Sequence, residues 1–262
     1  MSVFEGFRFR KVSSPIHDLD PRVKFFYVCI LFVIALMFNQ LLPLIVLFFV
    51  PLPFVFMAGV QRQWLRSLKG AIFLATIIFA TNLVSRYIYS GYVWSAIMLE
   101  ESIALTFRFI VLVAAFSVFF LTTSPDHLGL ALEQSHVPYE FCFAFTTAVR
   151  FVPVLAEEAQ TIMDAQKARG LELERGNFLK RVRNYIPILI PLIVSAIRRS
   201  LELAEAMESR AWGTTKNRTN LYVLRLKNGD YGLVVISIAL LIVAAYIWLS
   251  VPIPSVTTLL HV

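Results

Sequence analysis

An arginine side chain is suited to gripping carboxylates or carbonyls, because its planar guanidinium presents five donors in a fixed fork. Two arginines of this 262-residue chain stand where a helix end could present that fork: Arg169 and Arg210 each close a charged helical stretch and are followed within three residues by a glycine. The stretches Glu157–Gly170 (EEAQTIMDAQKARG) and Arg198–Gly213 (RRSLELAEAMESRAWG) superpose with an offset of 41 residues, which aligns Asp164 with Glu205, Ala165 with Ala206 and Arg169 with Arg210. The candidate site is therefore Ala168, Arg169 and Gly170 together with Ser209, Arg210 and Ala211. A lever with two matching tips implies two matching sockets. A plainer reading stands beside it: a cation in the last helical turn complements the helix dipole for about 0.3–1 kcal/mol, and glycine is a natural residue just past a helix end. The recurrence of an acid five positions before each arginine, and of an alanine four before, weighs against coincidence.

No other constellation in the chain could run a reaction. There is no G-x-x-x-x-G-K-[ST] phosphate loop, no H-E-x-x-H zinc pair and no G-x-S-x-G nucleophile turn. The four histidines (His17, His127, His136 and His261) are scattered, and the five aspartates are too dispersed for an intramembrane transferase. Cys29 and Cys142 both lie in apolar stretches, so they read as buried fillers and not as a disulfide framework or a metal site. Any chemistry is expected in a partner, with no catalytic, cofactor or metal residue in this chain.

The elements that would position the arginines are those of a membrane protein. The chain is 58% hydrophobic with 23 Phe and only 16% charged residues, far more apolar than a soluble domain. Phe25 to Gln61 contain no charge at all, and one helix of that length would be roughly 55 Å long, nearly twice a hydrocarbon core. A turn at Asn39, Gln40 and Pro43 splits it into short spans at Lys24–Phe38 and Leu44–Val60. Three more are expected at Gly70–Tyr89, Ile103–Leu121 and Tyr231–Ser250. Asn184–Ile197 is apolar but too short to cross, and fits a packed or interfacial segment.

Of the 24 Lys and Arg, five fall in Met1–Lys24, three in Gln61–Lys69 and fourteen in Thr122–Asn228, while the loop Ser90–Ser102 carries only Glu100 and Glu101. An odd number of spans puts every basic segment on one side, which the positive-inside rule makes cytoplasmic, so the N-terminus is expected inside and the C-terminal tail outside. The same topology accounts for the net charge of +7 without nucleic acid. No cleavable signal peptide is visible. Arg86 and Arg108 fall within spans near their ends, where long side chains are expected to snorkel.

After the fourth span, Ser124-Pro125-Asp126 predicts a capped helix to about Gln134. Val137-Pro138 breaks it. A second helix runs from Tyr139 to Arg169, Leu171–Phe178 turns the chain, and a third helix repeats the design from Tyr185 to Arg210. Each begins apolar and ends charged, so each is expected to emerge into water, with Pro153, Pro187 and Pro191 available to bend it. His17-Asp18-Leu19-Asp20-Pro21-Arg22 reads as a capped start to the first span, with Asp20 as N-cap and Arg22 and Lys24 as headgroup anchors. The expected fold is an all-α polytopic membrane protein of about five spans with a cytoplasmic insert of about three helices. Residues 1–122 hold four spans, 123–228 the insert, and 229–262 the last span and an external tail.

Leu19-Asp20-Pro21-Arg22, Thr123-Ser124-Pro125, Arg150-Phe151-Val152-Pro153, Ala168-Arg169-Gly170 and Ser209-Arg210-Ala211 together resemble the transmembrane T component of energy-coupling-factor (ECF) transporters, over nearly the whole chain. The second copy departs from the pattern, reading Ser-Arg-Ala where the family often has Ala-Arg-Gly. The resemblance implies two long coupling helices whose tips dock into two ABC-type ATPase subunits, which bind the ATP and magnesium. It also implies a separate membrane S component that holds the cargo, a vitamin or a transition-metal ion, and a place in a prokaryotic plasma membrane. Two alternatives are a permease of a conventional ABC importer, which would dock by an E-A-A-x-x-x-G loop, and a membrane enzyme. Neither Glu158-Ala159 nor Glu205-Ala206 has the glycine that loop requires.

Overall fold

The computed structural model of the protein describes residues 14, 16, 17, 19–89, 94–172, 177–214, 224 and 226–250, which form ten α-helices and no strand. In order they are α1 (Pro21–Met37), α2 (Leu41–Phe49), α3 (Leu52–Ala58), α4 (Gln61–Tyr89), α5 (Ala96–Thr122), α6 (Pro125–Gln134), α7 (Tyr139–Ala168), α8 (Phe178–Asn184), α9 (Ile186–Glu208) and α10 (Asn228–Ser250). The described residues divide into two compact units, those within 11–131 and 224–262 and those within 132–223.

In the first unit α1 packs against α2, α5 and α10. Its core is built from small and branched side chains that allow close approach, among them Val28, Leu31, Ala35, Leu44, Val111 and Ala115. The hairpin of α4 and α5 is pinned by polar contacts inside the apolar surroundings: Trp64 Nε1 donates to the Ala114 carbonyl at 3.1 Å, and the Ser67 and Ser117 hydroxyls lie 2.6 Å apart. The outer faces are apolar as well. Ile72, Phe73, Ile77, Val84 and Ile88 of α4 are exposed, as are Val235, Ile238, Ile242, Tyr246 and Leu249 of α10. Helices apolar both inside and out belong in lipid.

Five segments are long and apolar enough to cross a membrane, the expected number, but their membership differs from the sequence expectation: Leu41–Ala58, Gln61–Tyr89, Ala96–Thr122, Tyr139–Ala168 and Asn228–Ser250. The helix α1, with 17 residues, falls just short, and α7 is long and apolar enough although Glu140 and Arg150 stand in its first half. The expected span Leu44–Val60 is two helices, broken where Pro51 follows Val50. Gln61–Lys69 is the start of α4 and not a loop. Glu100 and Glu101 likewise sit in the first turns of α5, whose cap is Ser95, its hydroxyl accepting from the Ile97 amide at 3.2 Å. The loop tip 90–93, the N-terminal head up to residue 13 and the expected external tail 251–262 lie outside the described residues.

The predicted caps are where the residue types placed them. The Asp20 carboxylate accepts from the Arg22 amide at 2.9 Å with Pro21 as the first helical residue, and the Ser124 hydroxyl accepts from the His127 amide at 3.3 Å. Val137-Pro138 ends α6, and α7 begins at Tyr139. Both α7 and α9 run on through Pro153 and Pro191.

Candidate functional site

The second unit is built around α7 and α9. Glu158 on α7 accepts from the Ser195 hydroxyl and from Arg199 Nη2 (3.1 Å) on α9, and the Arg199 guanidinium lies 5.9 Å from the centre of the Phe151 ring. Gln166 Nε2 donates to the Pro187 carbonyl at 3.4 Å, and Trp212 packs on Phe143 with ring centres 4.5 Å apart. As position advances along α7 its partners recede along α9, so the helices are antiparallel. Glu158 and Arg199 are themselves equivalent under the 41-residue offset, which places their ion pair on an approximate local two-fold relating the two copies.

Both helix ends close in the same way. At the end of α7 the Gly170 amide donates to the Lys167 carbonyl (2.9 Å) and the Leu171 amide to that of Gln166 (3.0 Å), with Gly170 left-handed at φ 88°. After α9 the Ala211 amide donates to Glu208 (2.9 Å) and the Trp212 amide to Met207 (3.0 Å), with Ala211 left-handed at φ 58°. This pair of bonds is the Schellman closure, and in each copy the arginine is the last residue before the left-handed one. The counterpart of Gly170 is therefore Ala211 and not Gly213, so an alanine carries the left-handed strain that glycine avoids.

Ala168, Arg169 and Gly170 are all exposed, as are Ser209, Arg210 and Ala211. Among the described residues neither the Arg169 nor the Arg210 guanidinium has a hydrogen-bonded or ionic partner. The structure does not bring the two triplets together. Trp212 sits at the level of Phe143, and the 26 residues from there to Arg169 make roughly 40 Å along the axis at about 1.5 Å per residue. The two exposed arginines stand at opposite ends of one antiparallel helix pair.

Sequence reasoning missed the buried charges of the first unit. Lys24 is not a headgroup anchor: it is 5% exposed, and Nζ donates to the carbonyls of Thr122 (3.1 Å) and His17 (3.2 Å), tying the start of α1 to the end of α5. Asp230, 1% exposed, accepts from the amides of Asp20 (2.8 Å) and Lys227 (2.7 Å), tying the start of α10 to the start of α1. Arg108 does not snorkel either; Nη2 donates to the Phe38 carbonyl and to Asn39 Oδ1, both at 2.6 Å, holding the turn between α1 and α2. Arg86 at the end of α4 pairs with Glu101 on α5. Of the cysteines, Cys142 is buried as expected while Cys29 is half-buried, and both are free. No group of three or more metal-ligating side chains occurs among the described residues.

The described residues thus form a polytopic helical membrane protein whose charges hold helix ends together and in which the helix ends at Arg169 and Arg210 repeat one closure. The CbiQ family, described as cobalt transport protein, matches residues 12–221. The chain is similar to the energy-coupling factor transporter transmembrane protein EcfT of Thermosediminibacter oceani, with 32% identity over 83% of this chain and 88% of that one. It is also similar to the EcfT of Lactococcus lactis, 31% identical over 91% and 95%, and to that of Exiguobacterium sibiricum, 34% identical over 71% and 76%. The chain belongs to this family: it is a multi-pass transmembrane component of a bacterial ECF transporter, a non-catalytic subunit.

Proposed function

We propose that this subunit couples ATP hydrolysis elsewhere to movement in the membrane, through α7 and α9 acting as coupling helices and through Arg169 and Arg210 as their docking tips. The observation that carries the reading is the pair of identically closed helix ends with exposed guanidinium groups roughly 40 Å apart along an antiparallel pair. One socket could not hold both. Two ATPase subunits could, each taking one triplet, with ATP and magnesium bound there and no cofactor in this chain. A guanidinium held on a capped helix end can make bidentate bonds to a socket's carboxylates or carbonyls, so a shift of that socket becomes a shift of the helix.

In this scheme α1 crosses the membrane and α7 does not, so residues 123–228 face the cytoplasm, with the N-terminus on the same side and the C-terminus outside. The apolar flanks of 1–122 and of α10 receive a separate S component that carries the vitamin or metal ion. The test is uptake and ATPase activity of the assembled transporter. Alanine at Arg169 or Arg210 is expected to weaken ATPase docking or uncouple hydrolysis from uptake while the protein still inserts, glutamate to do so more severely, and the double variant to be worst. Near-normal uptake by the double Arg→Glu variant within an intact complex would return both residues to the role of helix-end decoration.

A further inference from the structure

The three cations of Gln61–Lys69 stand in the first turns of α4, so the helix decides which way they face. Arg62, Arg66 and Lys69 follow one another by four residues and then three, which sets them on one face. Continued by the same steps, that face carries Phe73, Ile77, Ala80 and Val84, and all seven residues are exposed, Phe73 to 76%. The opposite face is turned to α5. There Trp64 and Ala75 are buried, Trp64 Nε1 donates to the Ala114 carbonyl, and the Ser67 hydroxyl meets that of Ser117. The cations therefore head the stripe of α4 that looks outward from its own unit into lipid.

Two properties of this stripe specify an anion that brings hydrocarbon with it. Arg62 with Arg66, and Arg66 with Lys69, are like-charge neighbours at the spacings where side chains on a helix meet, and the first turn of α4 holds no acid to relieve them. The apolar part of the stripe begins directly after the charged part. From Lys69 to Phe73 is one turn, roughly 6 Å along the axis. A molecule whose phosphate reaches the cations thus has its acyl chains alongside Phe73 and Ile77, on the same face, while the long basic side chains bend toward the headgroup level. A soluble anion would use only the first half of the stripe, and an acidic protein loop would have to enter hydrocarbon to use the second.

We propose that the outward stripe at the start of α4 is an anionic-phospholipid site, with Arg62, Arg66 and Lys69 around the headgroup phosphate and an acyl chain lying along Phe73 and Ile77. The bound headgroup neutralises three neighbouring like charges and fixes the depth at which the α4–α5 hairpin enters the bilayer. The site needs α4 alone, so it stands or falls separately from the coupling role of the arginine tips.

The test is photolabelling of the purified full chain in phosphatidylcholine vesicles by phosphatidylglycerol carrying a diazirine on one acyl chain, with the matching phosphatidylcholine probe as reference. In the wild type the phosphatidylglycerol probe should label the peptide containing Phe73 and Ile77 in excess of the reference. Glutamine at any one of the three cations should lower that excess roughly 5-fold, and R62Q/R66Q/K69Q should abolish it. R62K/R66K, which keeps the charge, should retain it, and K180Q/R181Q/R183Q, which removes the same charge from α8, should leave it unchanged. Equal labelling by the two probes in the wild type, an excess that survives R62Q/R66Q/K69Q, or an equal loss in the α8 variant would each overturn the proposal. So would displacement of the probe by millimolar inorganic phosphate at constant ionic strength, which would assign the cations to a soluble anion.

Discussion

Asp230 offers the sharpest test of the reasoning about helix ends, because its carboxylate does two jobs from one buried position. One oxygen reaches back to the Lys227 amide at 2.7 Å, the acid half of a capping box at the start of α10; the other accepts the Asp20 amide at 2.8 Å, just before α1. At 1% exposure no solvent is at hand on the side of the buried Asp20 amide, whereas Lys227 is itself exposed. Alanine at Asp230 leaves the buried Asp20 N–H unmatched at about 1–3 kcal/mol and removes the bond to the Lys227 N–H at about 0.5–1.5 kcal/mol, so a cost of about 1.5–4.5 kcal/mol is expected. Asparagine keeps one acceptor and turns an amide donor toward the other N–H, so it should cost about half as much.

For a chain of this size each kcal/mol moves a melting midpoint by roughly 2–4 °C. The alanine variant should therefore melt roughly 3–18 °C below the wild type, with asparagine between. Cys29, half-buried on α1, is a native reporter for this unit. In a Cys142→Ala background, heating the detergent-solubilised protein with a thiol-reactive dye reads the release of α1. A midpoint for Asp230→Ala within about 2 °C of the wild type, or asparagine worse than alanine, would refute the assignment of both amides to this carboxylate.

Three further outcomes follow from the same structure. Gly170→Ala should cost about 1 kcal/mol from the left-handed backbone alone, since a Cβ there meets nothing within 4 Å, whereas Ala211→Gly should be neutral or stabilising; opposite signs in thermal melts of the two variants are the check. Arg108→Met and Asn39→Ala should each destabilise by about 1–2 kcal/mol, and a double-mutant cycle should return a coupling of about 0.5–1 kcal/mol; strict additivity would place the Arg108 side chain elsewhere. For the proposed topology, single cysteines at Ser90 and Thr257 should react with an impermeant thiol reagent on whole cells and one at Asn177 should not.

Much of the fold was legible because it is decided locally. Asp20-Pro21 and Ser124-Pro125 start helices for reasons contained in four consecutive residues, and Val137-Pro138 stops one in two. The start of α7 was therefore readable to the residue. The break between α2 and α3 was harder, since Pro51 interrupts a run so apolar that hydropathy alone shows one span. What could not be read was any partnership across the chain. Asp20 meets Asp230 and Lys24 meets Thr122 only after three helices have folded against one another. A lysine next to a membrane span looks like a headgroup anchor until an unsatisfied helix C-terminal carbonyl is seen beside it. Arg108 was misjudged for the same reason, because its acceptors lie in a turn distant in sequence.

The repeat shows where sequence similarity ends and chemistry begins. The 41-residue offset preserves the backbone closure in both copies down to equivalent carbonyls, Gln166 with Met207 and Lys167 with Glu208, even though the left-handed residue changes from glycine to alanine. Backbone hydrogen bonds do not depend on those side chains, so the geometry of the tips tolerates sequence drift. The residue after the left-handed one has no such freedom, because it is the first to point into whatever lies beside the helix end. Trp212 finds two aromatic rings there and Leu171 finds two cations and an amide. Two tips built to one pattern are thus set in different surroundings. The end of α9 is braced by its own chain through Trp212, whereas at the end of α7 the matching residue, Leu171, borders an open cleft.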